Sequence, residues 1–220
     1  MLDFARARRN MIDSQLRTFD VTDRAVLAAM ADVPRERFMP ESRTALAYSD
    51  QNVSVADVGA EPRWMIQPMA LARLIQALEV EAGAKVLDVA TGYGYAAAIF
   101  SALGADVVAL ESDPALATMA RERLVSGPGR AQVVTGPLPE GFPQEAPFDI
   151  VLINGVSETR PSTLLQQLHE GGRLGCFERD GAATYAVLYV RAAGGFSSRR
   201  LFDGSAPILP AFRAEPGFRF

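Results

Sequence analysis

Asp88, Gly92, Gly94 and Glu111 are the residues whose types and spacing could do chemistry together. The first three lie in KVLDVATGYGYAAAIF, residues 85–100, and the last closes the run ADVVALE that follows. Gly92, Gly94 and Ala97 fit G-x-G-x-x-A, with Glu111 about 20 residues on. The glycines permit a tight turn and let backbone approach a ligand closely. The helix start beyond them offers free N–H groups, and a carboxylate at the end of a second strand accepts both hydroxyl protons of a ribose. Alone, these features are a dinucleotide fingerprint, or simply the glycine joint of any strand-turn-helix unit. Asp88 argues against a dinucleotide, because a carboxylate four residues before Gly92 repels a pyrophosphate. It welcomes a ligand carrying a sulfonium and an ammonium, and S-adenosyl-L-methionine has both and no phosphate. About 80 residues also precede the first strand, whereas many NAD enzymes begin with theirs.

Composition narrows the chemistry further. Of 220 residues, 49% are apolar and 22% charged, as in ordinary globular chains, and the net charge of -4 leaves no basic footprint for nucleic acid. Lys85 is the only lysine, which nearly removes lysine chemistry. Cys176 is the only cysteine, so neither an intrachain disulfide nor a thiolate metal cluster is expected, and it reads as a small buried hydrophobe. His169 is the only histidine; in QLHEGGRL it reads as a cation at a helix C-terminus, not as a catalyst. No run approaches the roughly 18 apolar residues of a membrane span, and the N-terminus lacks the apolar centre of a signal peptide. The expectation is a cytoplasmic protein without membrane or nucleic-acid partners.

The positioning elements follow from periodicity. FARARRNMIDSQLRT places Phe4, Met11, Ile12 and Leu16 near one helical face. VTDRAVLAAMADV is a second helix, with Thr22 as N-cap and Pro34 as stop. Residues 34–64 read as irregular. Helix resumes after Pro68 and runs to Gly83. From Lys85 strands and helices alternate: KVLDVA, YAAAIFSALG, ADVVALE, a helix capped by Asp113, AQVVTG, FDIVLIN, a helix over PSTLLQQLHE, then GRLGCF. ATYAVLYVRA and SSRRLFDG follow across a Gly-Gly turn and read as an antiparallel hairpin. The expected class is α/β: a mostly parallel seven-stranded sheet, helices on both faces, a C-terminal antiparallel hairpin and N-terminal helices. Residues 1–80 form a helical and irregular extension and residues 84–220 a Rossmann-like core, together one domain.

The chain resembles the protein-L-isoaspartate O-methyltransferase family over most of its length. The resemblance is carried by MIDSQLR, VLAAMADVPRERFMP, LAYSD, MIQPMALARLIQAL, VLDVATGYGYAAAIFSAL, APFDIVLIN, LLQQLHEGGRL and APIL. It implies a Rossmann-like methyltransferase that moves a methyl group from S-adenosyl-L-methionine to the carboxylate of an isomerised aspartyl residue in damaged protein or peptide. It assigns Asp88, Ala90, Thr91, Gly92, Gly94, Tyr95, Glu111, Gly136, Pro137 and Leu138 to the cofactor. It assigns Ile66, Gln67, Pro68, Ala206, Pro207 and Ile208 to the acceptor, with no metal. A carboxyl with a pKa of about 4 is already ionised at neutral pH, so no general base is required. Holding oxygen, carbon and sulfur in line supplies about 7–11 kcal/mol of the barrier.

Three departures qualify the implied activity. The family's Ser before Gln-Pro is Ile66, which offers no hydrogen bond. The family's Gly-Asp-Gly is Gly136-Pro137-Leu138, without the carboxylate that meets the adenine amino group. The family's first loop glycine is Ala90, a mild change if φ stays negative. A methyltransferase with a different, less polar acceptor, or a cofactor-binding relative that no longer catalyses, are the alternatives these changes raise. Trp64 and Met65 either line an apolar acceptor pocket or staple the helix. Tyr95 either covers the cofactor or packs under the loop. Arg121, Arg123 and Arg130 read as a solvated face.

Overall fold

The parallel core of the sheet is built from short runs that are apolar on both faces, as a doubly covered sheet requires. In this computed structural model, which describes residues 3–55, 61–125 and 130–214 (of Arg130 only the backbone), the N-terminal region comes first. It contains α1 (Phe4–Met11), α2 (Arg24–Asp32), a two-stranded antiparallel ribbon of β1 (Val53–Ser54) and β2 (Trp64–Met65), and α3 (Pro68–Leu78). The core follows as β3 (Lys85–Val89), α4 (Tyr95–Ala102), β4 (Asp106–Glu111), α5 (Pro114–Leu124), β5 (Arg130–Thr135), β6 (Phe148–Ser157), α6 (Ser162–Gln166), β7 (Leu168–Asp180), β8 (Ala183–Ala192) and β9 (Gly195–Asp203).

The seven strands lie in the order β5-β4-β3-β6-β7-β8-β9. Strands β5 to β7 are parallel, and β8 is antiparallel to both its neighbours. The chain leaves β3 toward one edge and returns to β6 on the other side, so the switch point falls between β3 and β6. Side chains alternate between two cores. Val86, Val107, Ala109, Ile150 and Leu152 face the N-terminal helices and α4, while Leu87, Val89, Val108, Leu110, Val151 and Ile153 face the other side. By the same period of two, Asp88, Glu111 and Asn154 share the first face, at the carboxyl ends of three adjacent strands. Helix α4 is buried along nearly its whole length, and α3 buries Leu71, Leu74, Ile75 and Leu78. Each such leucine or isoleucine contributes about 1.5–3 kcal/mol by leaving water.

The strand-helix alternation, the C-terminal hairpin and the Asp113 cap agree with the sequence reading; Asp113 accepts from the Ala115 and Leu116 amides. Other elements differ. The first helix widens over Ile12–Leu16 into a turn with an i→i+5 hydrogen bond, from the Arg17 amide to the Ile12 carbonyl, and Met11 and Leu16 are both in the core. Asp23, not Thr22, caps α2: its carboxylate accepts from Ala25 and Val26, while the Thr22 and Asp23 amides donate to Gln76. Helix α3 stops at Leu78, before Gly83, because Glu79 turns left-handed and Arg173 donates to the Leu78 carbonyl. Helix α6 ends at Gln166, because the Gln167 carbonyl is taken by the Phe148 amide and β7 begins at Leu168. His169 therefore lies in a strand, not at a helix end. Among the described residues no helix is long and apolar enough to cross a membrane.

Candidate functional site

Asp88 has no solvent exposure. Its Oδ2 accepts from Thr91 Oγ1 at 2.6 Å and its Oδ1 from Asn154 Nδ2 at 2.6 Å. Burial pushes its pKa up to about 6, against the lowering effect of those two hydrogen bonds. Asn154 Nδ2 also donates to the Val89 carbonyl, so its amide orientation is fixed by two acceptors.

Beyond β3 the chain turns sharply through Ala90 (φ 60°), Thr91 and Gly92 (φ 58°) to Gly94 (φ 90°), which precedes α4. The condition under which Ala90 is a mild change, a negative φ, is not met: this alanine sits in the left-handed region, at a cost of about 1–2 kcal/mol. Gly94 is needed on two counts, its φ and the Leu124 side chain of α5, which would lie 2.9 Å from an added Cβ. At Gly92 an added Cβ would meet Arg63 Cγ at 3.2 Å and Val55 Cγ2 at 3.3 Å.

Glu111, also without exposure, is held from four directions. Its oxygens accept from the Gly92 amide (2.9 Å), the Ser112 amide (2.8 Å), Arg63 Nη2 (2.5 Å) and Arg63 Nε (2.9 Å). The guanidinium also donates to Glu61 and Ser112. The side chains of Arg63 and Glu111 form an ion pair that is completely buried.

On the acceptor side, Ile66 is buried, and its carbonyl accepts from Arg35 Nη2 at 2.6 Å. The Arg35 guanidinium is itself buried and lies 4.8 Å from the Tyr95 ring centroid. The Gln67 amide donates to Asn52 Oδ1 (2.9 Å), and Asn52 Nδ2 donates to the Ser205 carbonyl (3.0 Å). Pro68 opens α3. The Pro207 carbonyl accepts from the Val156 amide, Leu209 donates back to Val156, and Ile208 bridges to Val156. Ala206 is buried beside them. Asn52 thus ties both parts of the expected acceptor region together. Ile66, Thr91, Tyr95 and Asn154 line one small cavity of about 20 Å³ with Trp64, Met65 and Leu71.

Gly136 donates to the Glu111 carbonyl, Pro137 is exposed, and Leu138 is buried on the opposite face of the sheet. Tyr95 packs against Phe38 and Arg35 under the loop. Cys176 is buried, as expected. Arg123 is not simply solvated, because its guanidinium covers the Tyr93 ring at 5.5 Å. Arg121 reaches Thr135, and the Arg130 side chain lies outside the described residues. His169 Nε2 lies 2.5 Å from Asp149 Oδ1, and Asp149 also accepts from the Lys85 amide. That cluster sits where β3 and β6 begin, roughly 10 Å of strand away from Asp88.

The sequence reading passed over Arg63, Asn154, Asn52 and Arg35. Asn154 was within reach, since it has the parity of Leu152 at the end of a strand beside Asp88. A buried Glu111 demands a counter-charge, but nothing local selects Arg63 from among so many arginines.

The model of the Protein-L-isoaspartate(D-aspartate) O-methyltransferase family matches residues 6–194. The chain belongs to this family. A Gloeobacter violaceus protein-L-isoaspartate O-methyltransferase is 36% identical over 211 residues, covering 94% of this chain and 98% of its own. One from Methylorubrum extorquens is 38% identical over 212 residues, covering 96% and 90%. Among solved structures, a protein-L-isoaspartate O-methyltransferase superposes with a TM-score of 0.80 at 23% identity, over 91% of this chain and 65% of that one. A Plasmodium falciparum family structure in complex with S-adenosyl-L-homocysteine gives 0.79 at 18% identity, over 96% and 100%. These two likenesses establish the methyltransferase fold. The glycine turn and its two buried carboxylates fit an adenosyl cofactor in the chemistry of their donor set. The space beside Gly92 is held by Arg63 and Val55.

Proposed function

We propose that the protein methylates the carboxylate of isomerised aspartyl residues in proteins or peptides, using S-adenosyl-L-methionine. The observation that carries this reading is the pair of buried carboxylates, Asp88 and Glu111, on one face at adjacent strand ends around the glycine turn, in a chain of this family. The cofactor supplies a methyl group on a sulfonium, which is already a good leaving group. The chain's own part is placement. Asp88, held by Thr91 and Asn154, offers negative charge at the switch point. Glu111 offers two oxygens at the next strand end. Ile66, Gln67 and Pro68, tied through Asn52 to the segment Ala206, Pro207 and Ile208, border the acceptor side. An ionised carboxylate needs no base, and His169 lies at the far end of the strands.

The test is transfer of labelled methyl from S-adenosyl-L-methionine to an isoaspartyl peptide, with the normal aspartyl peptide as control. A base-labile ester on the isoaspartyl peptide alone is the expected result. No transfer by well-folded protein contradicts the reading. A second reading, a less polar acceptor, is favoured by the apolar lining from Trp64, Met65, Ile66 and Leu71. Label appearing in a small-molecule product of a cell extract, with none in the peptide, selects it.

A further inference from the structure

Glu111 has about four lone-pair positions on its two oxygens, and the structure fills them. Oε1 takes Arg63 Nη2 and the Ser112 amide; Oε2 takes Arg63 Nε and the Gly92 amide. The two backbone donors belong to the turn and to the end of β4. The other two belong to one side chain, Arg63, which enters from the β2 side of the N-terminal region. Its fork meets the carboxylate edge on, as a vicinal diol would, and its stem lies 3.2 Å from the position of a Cβ on Gly92. Glu61 Oε2 and Ser112 Oγ, each 3.0 Å from Nη2, hold the guanidinium in place.

We propose that Arg63 is a built-in competitor of the cofactor: its guanidinium occupies the Glu111 oxygens that a ribose diol requires, and the two exchange. This rests on the adenosyl reading of the glycine turn given above. The exchange is an equilibrium between two states of one side chain. The apparent affinity for the cofactor is therefore the intrinsic affinity reduced by the fraction of molecules in which Arg63 has left Glu111. Trp64, the chain's single tryptophan, follows Arg63 directly and is partly exposed, so it reports the exchange.

Calorimetry of S-adenosyl-L-homocysteine binding to the wild type and to Arg63→Gln tests the proposal. Gln can still donate to Glu111 but lacks the charge and the fork. The expected result is binding at least tenfold tighter to the variant, together with a saturable change in Trp64 emission when the wild type is titrated. Equal, measurable affinities overturn the competition and leave the proposed function standing. Absence of binding to both folded proteins overturns both. If Arg63→Gln does not fold, the wild-type titration decides: bound ligand with unchanged Trp64 emission overturns the proposal.

Discussion

Asp88 and Ala90 are the residues on which the turn's chemistry and strain concentrate. Asp88 has its pKa raised from 3.8 to about 6 by burial. Between these values the folded chain holds more proton than the unfolded chain, so this group's contribution to stability falls as pH rises from about 4 to about 6 and is flat above. The span of about two pKa units corresponds to about 3 kcal/mol. In Asp88→Asn that slope vanishes. Urea midpoints of the two proteins at about pH 4 and about pH 7 measure the difference; equal pH dependence contradicts the assignment. Ala90, at φ 60° and buried, sets strain against packing. Ala90→Gly relieves about 1–2 kcal/mol of strain. It loses about 0.8 kcal/mol of methyl burial and about 0.4–1 kcal/mol through the freer unfolded chain. The variant is expected within about 1 kcal/mol of wild type, whereas Ala90→Val, β-branched at positive φ, loses about 2 kcal/mol or more. Denaturant unfolding distinguishes the two. The positions of Asp88 and Glu111 beside the glycine turn were legible because they follow from spacing and strand ends. The left-handed Ala90 and the partner of Glu111 were not, since the first depends on how the turn closes and the second on a residue 48 positions away.

Elements carry two further predictions. The cap of α2 rests on Asp23, so Asp23→Ala costs about 1 kcal/mol, while Thr22→Ala, which keeps the amide bonded to Gln76, costs a few tenths. Thermal melts rank them, and the reverse order contradicts the capping geometry. Asn52 links the chain before Pro68 to the segment after β9. Asn52→Ala is expected to raise KM for the peptide acceptor several-fold and to leave the affinity for S-adenosyl-L-homocysteine within about twofold, because a lost neutral hydrogen bond is worth about 1 kcal/mol. Equal effects on both ligands would place Asn52 elsewhere in the mechanism. The alternation of strands and helices was legible because periods of 2 and 3.6 report burial directly. Helix ends were less so. Leu78 and Gln166 end their helices through contacts with Arg173 and Phe148, which no local pattern reveals.

At the scale of the molecule, the β3–β6 switch point brings three polar side chains from separate strands to one place, and the N-terminal region covers it. The mostly parallel sheet with its closing hairpin was legible because strand-helix alternation restricts the choices; the order of the strands comes from the structure. How the N-terminal region lies over the core was not legible, because residues 34–64 have no sequence period and Arg35, Asn52 and Arg63 reach distant parts of the chain through bonds that no local pattern reveals. On the proposed function, an adenosyl group sits at the glycine turn with its ribose on Glu111. A crystal structure of the protein with S-adenosyl-L-homocysteine tests it most directly. Ribose hydroxyls on both Glu111 oxygens, with Arg63 turned away, are the expected result; the Arg63–Glu111 pair intact, and the ligand bound elsewhere or not at all, would rule this placement out.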